Sequence, residues 1–122
     1  MARNSSGRLG EEAAVKFLND KGWTVIEQNY HSRFGEIDII AQETGYIVFV
    51  EVKTRLEDSK FLPREAVDLK KQSKLILATK MYLSCHDIGE LQPRFDVVEI
   101  IVLRSKKFTV KNINLIKNAF SC

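Results

Sequence analysis

The sequence predicts an α/β domain in which a mixed sheet is flanked by helices. Three observations carry this prediction: an amphipathic helical pattern at the start, three apolar segments with strand periodicity, and a second long helix followed by another strand. A chain of 122 residues is large enough for one core, so residues 1–122 are predicted to form a single domain.

The first helix is predicted over residues 6–21, and Gly22 is a favourable residue just past its end. Helical spacing places Glu11 on the apolar stripe that includes Leu18, whereas Glu12 falls on the polar side. Glu11 is therefore the acid expected to face inward. An alternative stays open, in which Glu11 is a first-turn glutamate favoured by the helix dipole.

Three strands follow, predicted over residues 23–31, 35–41 and 47–54 as an antiparallel meander. The turn before the third strand contains Gly45, a favourable turn residue. If the hairpin is centred between Thr44 and Gly45, opposed residues have numbers that sum to 89.

This register predicts a cluster of charges within two apolar strands, because it places Asp38 opposite Glu51 and Glu36 opposite Lys53. Directly opposed side chains share a face, with Cβ atoms about 4.5–5.5 Å apart. Two carboxylates at so short a distance repel each other unless a cation lies between them. Their oxygen atoms are ligands that suit Mg²⁺ or Mn²⁺. Lys53 can then hold a water molecule or a phosphate oxygen, as metal-assisted hydrolysis of a phosphodiester requires. The alternative is a cross-strand charge network without catalytic function.

The later elements complete the predicted domain. A loop near the site is expected over residues 55–63, a helix over 64–84, a strand over 94–103 and a short strand over 108–110. The strand after the second helix is expected to join the sheet by a right-handed crossover. Gln72 lies on an apolar stripe of the second helix, and it either reaches towards the site or makes a structural hydrogen bond.

Composition excludes several classes of protein. The chain is 44% hydrophobic and 29% charged, its apolar runs are too short to span a bilayer, and no signal-peptide pattern follows Met1. The expected location is therefore cytoplasmic, without a membrane partner. Two cysteines and two histidines give neither a disulfide framework nor zinc-ligand spacing.

The distribution of charge points to a nucleic-acid partner more than the net charge of +3 does. Residues 53–80 contain eight Lys and Arg residues against four Asp and Glu residues, directly after the strand that carries Glu51. Basic side chains near such a site would contact the phosphate backbone of DNA. The candidates are Arg8, Arg33, Arg55, Lys70, Lys71 and Lys74. The alternative is a solvated, lysine-rich helix face.

Five segments carry a resemblance to a known family: Gly7-x-x-Gly10-Glu11, Gly35-Glu36-Ile37-Asp38, Phe49-Val50-Glu51-Val52-Lys53, Arg94-Phe95-Asp96-Val97-Val98 and Asn118-Ala119-Phe120. Through them the chain resembles the PD-(D/E)XK nuclease superfamily and, within it, the YraN-type bacterial family, which is similar to archaeal Holliday-junction resolvases. The proline of the superfamily name has no counterpart, because Ile37 precedes Asp38.

The resemblance implies a restriction-endonuclease-like core of order αβββαβ. It also implies that Asp38 and Glu51 are metal ligands, that Lys53 is the catalytic lysine, and that Glu11 is a further catalytic and metal-binding acid. The hairpin register leaves Glu36 either as a third ligand or as the salt-bridge partner that orients Lys53, and the supporting role of a salt-bridge partner is the one expected.

The function predicted from these features is hydrolysis of DNA phosphodiesters by an endonuclease that depends on Mg²⁺ or Mn²⁺. Contacts to backbone phosphates do not read sequence, so the expected substrate is a branched or junction DNA. The alternative function is that of a non-catalytic nucleic-acid-binding or adaptor protein with the same fold. A homodimer is a further expectation under this function, because a junction resolvase uses two copies to cut two strands symmetrically.

Overall fold

The predicted α/β class and its mixed sheet are confirmed by the structure, a computed structural model that describes residues 5–58 and 68–121. The described residues form two helices and five strands. In chain order these are α1 (Ser5–Asp20), β1 (Thr24–Ser32), β2 (Gly35–Glu43), β3 (Tyr46–Leu56), α2 (Leu69–Cys85), β4 (Gln92–Val102) and β5 (Val110–Phe120).

The sheet has the strand order β1-β2-β3-β4-β5. Strands β1, β2 and β3 form the predicted antiparallel meander, and β5 pairs with β4 in antiparallel fashion. Strands β3 and β4 run parallel, because the chain between them passes through α2 before it returns to the sheet.

Each face of the sheet buries one helix. On one face, α1 contributes Ala14 and Leu18 to an α1-side cluster that also contains Trp23, Ile39, Ala41, Val48, Val50, Val98, Ile100 and Val102. On the other face, α2 contributes to an α2-side cluster made of Ile37, Ile40, Ile47, Phe49, Leu75, Ala78, Tyr82, Phe95 and Val97. The core thus lies in two layers around β3 and β4, whose long apolar runs suit a sheet covered on both faces.

The end of α1 is fixed as the sequence predicts. Gly22 has a φ of 90°, a left-handed conformation that glycine adopts without strain. The Gly22 amide donates to the Asn19 carbonyl at 3.0 Å, and the Trp23 amide donates to the Leu18 carbonyl at 3.0 Å. This is the Schellman arrangement, which satisfies the last helical carbonyls and turns the chain into β1.

The predicted boundary between the third strand and the loop after it differs from the structure. Strand β3 continues through Arg55 and Leu56, because it stays paired with β4 as far as Leu56 and Val102. Residues 59–63 of the predicted loop lie outside the described residues. The predicted start of the second helix, at residue 64, lies outside them as well.

The last strand is much longer than the short strand predicted over 108–110, since β5 spans Val110–Phe120. Irregular pairing between β4 and β5, and the φ of 52° at Asn118, break the strict alternation that marks a strand in sequence.

Candidate active site

The candidate site lies where β2 and β3 separate. The predicted register is confirmed by the observed pairs, which run from Glu43 opposite Tyr46 to Ile39 opposite Val50. The ladder ends there, whereas β3 continues to pair with β4. Asp38 and Glu51, the next residues on the two strands, therefore lie at the opening between them.

Asp38 turns its carboxylate towards the backbone of β3. Its Oδ2 accepts a hydrogen bond of 2.9 Å from the Val52 amide, a donor that the separated ladder leaves unpaired. The side-chain alternation of β2 also breaks at this residue. Ile37 packs in the α2-side cluster, whereas Ile39 belongs to the α1-side cluster, so the strict alternation of faces that a regular strand would show does not hold at this point.

The carboxyl groups of Asp38 and Glu51 adjoin each other in a buried environment. The pKa of Asp38 is raised from its ordinary value of 3.8 to about 8: burial is the largest cause, and a hydrogen bond that the protonated acid donates to Glu51 and the negative charge of Glu51 act in the same direction. The hydrogen bond from Val52 and the charge of Lys71 lower this pKa, but they do not offset the rise. At neutral pH the pair therefore holds a proton or requires a cation.

Glu51 is the more deeply buried partner, with only 3% of its side chain exposed. Its Oε2 atom makes no hydrogen bond to the described residues, although the Lys71 ammonium lies 3.3 Å away as an ion-pair partner. A buried carboxylate oxygen without a hydrogen-bond donor is costly. Its presence beside a second carboxyl group therefore fits a site for a divalent cation.

The donor set suits Mg²⁺ better than a metal held by protein ligands alone. Within residues 5–58 and 68–121, no three His, Cys, Asp or Glu side chains are close enough together to bind one ion. Mg²⁺ commonly uses one or two carboxylates and completes its shell with water and substrate phosphates. Asp38 and Glu51 fit that arrangement.

Glu11 lies on the other side of β3 from Glu51. It lines an open cleft of about 450 Å³ together with Val52 and Thr54. Glu11 faces inward as predicted, but the structure does not gather it into one ligand group with Asp38 and Glu51. The link between them is Val52, which lines the cleft and binds Asp38 through its amide.

Lys53 follows Glu51 on the same face of β3 and is half-buried. In the sheet register it lies beside Glu99 of β4, which in turn lies beside Asn114 of β5. A polar row thus crosses three strands next to the carboxyl pair.

The predicted salt bridge between Glu36 and Lys53 is wrong. Glu36 pairs with His31 of β1, with 3.7 Å between the His31 Nδ1 and the Glu36 Oε2, and the structure shows no ion pair between Glu36 and Lys53 in the portion it describes. The physical reason is that the ladder between β2 and β3 has ended before this position.

Arg55 occupies an interior position that the sequence did not reveal. Its Nε donates to the Glu99 Oε2 at 3.1 Å, and the two side chains are 17% and 2% exposed. This is not the solvent-facing placement expected of a phosphate clamp. Glu99 is not among the predicted site residues, although an acid within an apolar strand indicates an interior partner.

Three of the other basic candidates lie near one another. Arg33 is exposed in the turn between β1 and β2, and Lys70 and Lys74 are exposed on α2. The turn and the helix meet at Gly35, where an added Cβ would lie 3.6 Å from the Lys74 Cβ. Arg8 is exposed on α1, which covers the opposite face of the sheet.

The first turn of α2 also carries Lys71 and Gln72, and both are half-buried. Lys71 forms an ion pair with Glu51, although part of its side chain still reaches solvent. Burial lowers the pKa of Lys71, but the negative charges of Glu51, Asp38 and Glu36 raise it by more. The net shift of this pKa is upward, so Lys71 is a protonated cation.

A second group of buried charges lies at the other end of the sheet, near the turn between β2 and β3. Arg94 donates two hydrogen bonds to Asp96, at 2.9 and 2.8 Å, and also pairs with Glu43. Glu43 binds Lys117 of β5 at 2.7 Å. The Arg94-to-Val98 motif found in the sequence thus includes a charge network that joins three strands.

No helix among the described residues is long and apolar enough to cross a membrane.

Comparison with known proteins places the chain in a family. Residues 10–100 match the model of a family described as uncharacterised protein family UPF0102.

Relatives in this family are similar over nearly the whole chain. A UPF0102 protein of Caldanaerobacter subterraneus is 41% identical over 118 residues, which cover 97% of this chain and 96% of the relative. A UPF0102 protein of Acetivibrio thermocellus is 43% identical, with 97% and 92% covered. One from Desulforapulum autotrophicum is 45% identical, with 93% and 91% covered. The chain therefore belongs to the uncharacterised protein family UPF0102, the YraN-type family that its motifs predicted.

Proposed function

We propose that this protein is a divalent-metal-dependent endonuclease that hydrolyses DNA phosphodiesters. The observation that carries the proposal is the buried pair of carboxyl groups, Asp38 and Glu51, at the opening between β2 and β3. A binding module or a structural sheet has no need for such a pair, because two adjacent buried carboxyl groups are unfavourable without a cation.

Asp38 and Glu51 would hold the ion, with Mg²⁺ or Mn²⁺ as the expected occupant. When bound, such an ion polarises a phosphoryl oxygen and promotes ionisation of a water molecule. The hydrogen bond from Val52 fixes the direction of the Asp38 carboxylate, so the site requires little rearrangement. Since Asp38 is protonated near neutral pH without metal, binding of the ion would release a proton.

Lys53 would act on the substrate. It lies two residues after Glu51 on the same face of β3. From there its ammonium can orient the attacking water and donate to a phosphate oxygen as negative charge develops. Glu11, which lies across Val52, would act on water or on a second ion from the side of the cleft.

Arg33, Lys70 and Lys74 would contact the DNA backbone beside the carboxyl pair. These exposed cations lie on adjacent elements that meet at Gly35. Such contacts position DNA without reading its sequence, which supports a substrate defined by shape, such as a junction or another branched DNA. Paired cleavage of a junction would require two copies of the chain.

The test compares cleavage of four-way junction, single-stranded and linear duplex DNA in Mg²⁺ or Mn²⁺. We expect wild-type protein to cut, and Asp38→Asn to lose at least about 100-fold in rate, because one ligand of the ion is gone. Asp20→Asn is the matched control, since it makes the same chemical change at an exposed site on α1 that is paired with Lys16.

Two outcomes would contradict the proposal: wild-type protein that cuts none of these substrates, or Asp38→Asn that cuts as fast as Asp20→Asn. Tight binding of DNA without cleavage would instead support the function of a non-catalytic binding or adaptor protein. Sedimentation of the protein with and without junction DNA would measure whether two copies assemble.

A further inference from the structure

The side chain of Lys71 contacts the candidate metal site from α2, an element outside the two strands that carry the carboxyl pair. Its Nζ lies 3.3 Å from the Glu51 Oε2. Glu51 is 3% exposed, whereas the Lys71 side chain is 43% exposed. One partner is therefore fixed in the interior, and the other has access to solvent and freedom to move.

The position of Lys71 in its helix is unfavourable by itself. Helix α2 begins at Leu69, and Asp68 caps it by accepting a hydrogen bond of 2.8 Å from the Lys71 amide. Lys71 thus lies in the first turn, where the helix dipole disfavours a positive charge. The contact with Glu51 offsets this cost and supplies positive charge where a buried carboxylate oxygen has no hydrogen-bond donor.

We propose that Lys71 is a built-in counter-ion, which neutralises Glu51 in the metal-free protein, is displaced by the incoming divalent ion and then binds a substrate phosphate. The inference rests on the proposed metal site. The displacement follows from charge balance, because the divalent ion and the Lys71 ammonium would compete for the same Glu51 carboxylate and repel each other. After displacement, the flexible lysine stem keeps the ammonium within reach of the phosphate that the ion binds.

Lys70 provides a matched control for this proposal. It is the adjacent residue on the same helical turn, it is exposed, and it makes no ion pair with any residue in the described part of the chain. Lys70→Ala and Lys71→Ala lower the net charge equally. Any difference between the two variants therefore excludes a general electrostatic effect on cation binding.

The first experiment measures the affinity of the DNA-free protein for Mn²⁺ by calorimetry or by the electron paramagnetic resonance of free Mn²⁺. We expect Lys71→Ala to bind Mn²⁺ about two- to fivefold more tightly than wild type, the range that a partly exposed ion pair supports. Lys70→Ala should match wild type or exceed it only slightly. Lys71→Arg retains the charge and should restore an affinity near that of wild type.

The second experiment measures how DNA affinity depends on salt concentration, in EDTA and in Ca²⁺. If Lys71 reaches a phosphate only after displacement, Lys71→Ala should make the negative slope of log affinity against log salt shallower by about 0.9 in Ca²⁺ and leave it unchanged in EDTA. Lys70→Ala should change the slope equally in both conditions.

The outcomes separate this inference from the proposed function. Equal or weaker Mn²⁺ binding by Lys71→Ala would overturn the counter-ion role while leaving the metal site intact. An unchanged salt slope in Ca²⁺ would overturn the transfer of Lys71 to phosphate. If no variant, including wild type, binds Mn²⁺, the metal site and the counter-ion role both fail. Failure to cleave DNA does not enter either measurement.

Discussion

At the scale of single residues, the character of the site is decided by Asp38. In sequence it is an acid in an apolar strand, and its hydrogen bond to Val52 and its contact with Glu51 both depend on where β2 and β3 separate. Burial beside Glu51 also makes Asp38 destabilising to the fold when no metal is bound. A carboxyl group whose pKa is raised by burial destabilises the fold whenever it is ionised.

The metal-free protein should therefore lose stability as pH rises. The pKa of Asp38 is about 8 in the folded chain and near 3.8 when unfolded, so the folded state binds more protons between these values. By linkage, the free energy of unfolding falls as pH increases from about 4 to about 8 and then levels off. We expect urea denaturation in EDTA to show a loss of up to about 4 kcal/mol between pH 5 and pH 9.

Asp38→Asn should remove most of this pH dependence and be more stable than wild type at pH 9. Asp20→Asn, which changes an exposed acid, should follow the wild-type curve. Parallel curves for Asp38→Asn and wild type would show that Asp38 does not titrate as described. Excess Mg²⁺ should raise the stability of wild type at pH 9, because it binds the folded state.

At the scale of elements, the placement of α1 depends on a close approach to β3. A Cβ added at Gly10 would lie 2.0 Å from the Thr54 Oγ1 and 3.4 Å from the Thr54 Cβ. The helix can therefore lie this near to the strand because residue 10 has no side chain. The neighbouring helical residue, Glu11, is thereby brought to the cleft beside Val52.

Gly10→Ala should therefore destabilise the protein by about 1–2 kcal/mol, because overpacking outweighs the better helix propensity of alanine. Thr54→Ala removes the nearest atom and leaves the Cβ at an ordinary distance, so Gly10→Ala should cost less in that background. A double-mutant cycle on the free energy of unfolding measures this coupling. Additive effects would mean that the contact with Thr54 does not limit the approach of α1.

At the scale of the whole molecule, the sheet is held at its two ends by different arrangements of charge. One end carries the carboxyl pair of Asp38 and Glu51 with Lys71, and the other carries the network of Arg94, Asp96, Glu43 and Lys117. Asp96 is completely buried and also accepts a hydrogen bond of 2.9 Å from the Asn118 amide. The network joins β2, β4 and β5, so it closes the sheet where its strands come from distant parts of the chain.

Loss of Arg94 should therefore be severe. Arg94→Met leaves the buried Asp96 without its cation, a change that costs about 3–5 kcal/mol in comparable buried pairs. Arg104→Met is the control, because it breaks an equally well-formed but exposed pair with Asp58, which should change stability little. Similar urea midpoints for the two variants would refute the structural role of the buried network.

The local features of the fold are largely determined by the sequence. Helical spacing placed the inward stripe of α1, Gly22 marked its end, and Gly45 set the hairpin register that the structure confirms. These features depend on neighbours in the chain, whose periodicity and turn chemistry are visible in sequence. They were sufficient to predict an α/β domain with Asp38 close to Glu51.

Only the tertiary structure decided which basic residue pairs with which acidic residue. The sequence gives no sign that the ladder stops at Ile39, so the pairing expected between Glu36 and Lys53 did not form. Arg55 forms an ion pair with Glu99, and Lys71 forms one with Glu51, although both basic residues were predicted to contact DNA. The physical reason is that a side chain's partner depends on which strands and helices meet. Those contacts join residues far apart in the chain, and no local pattern records them.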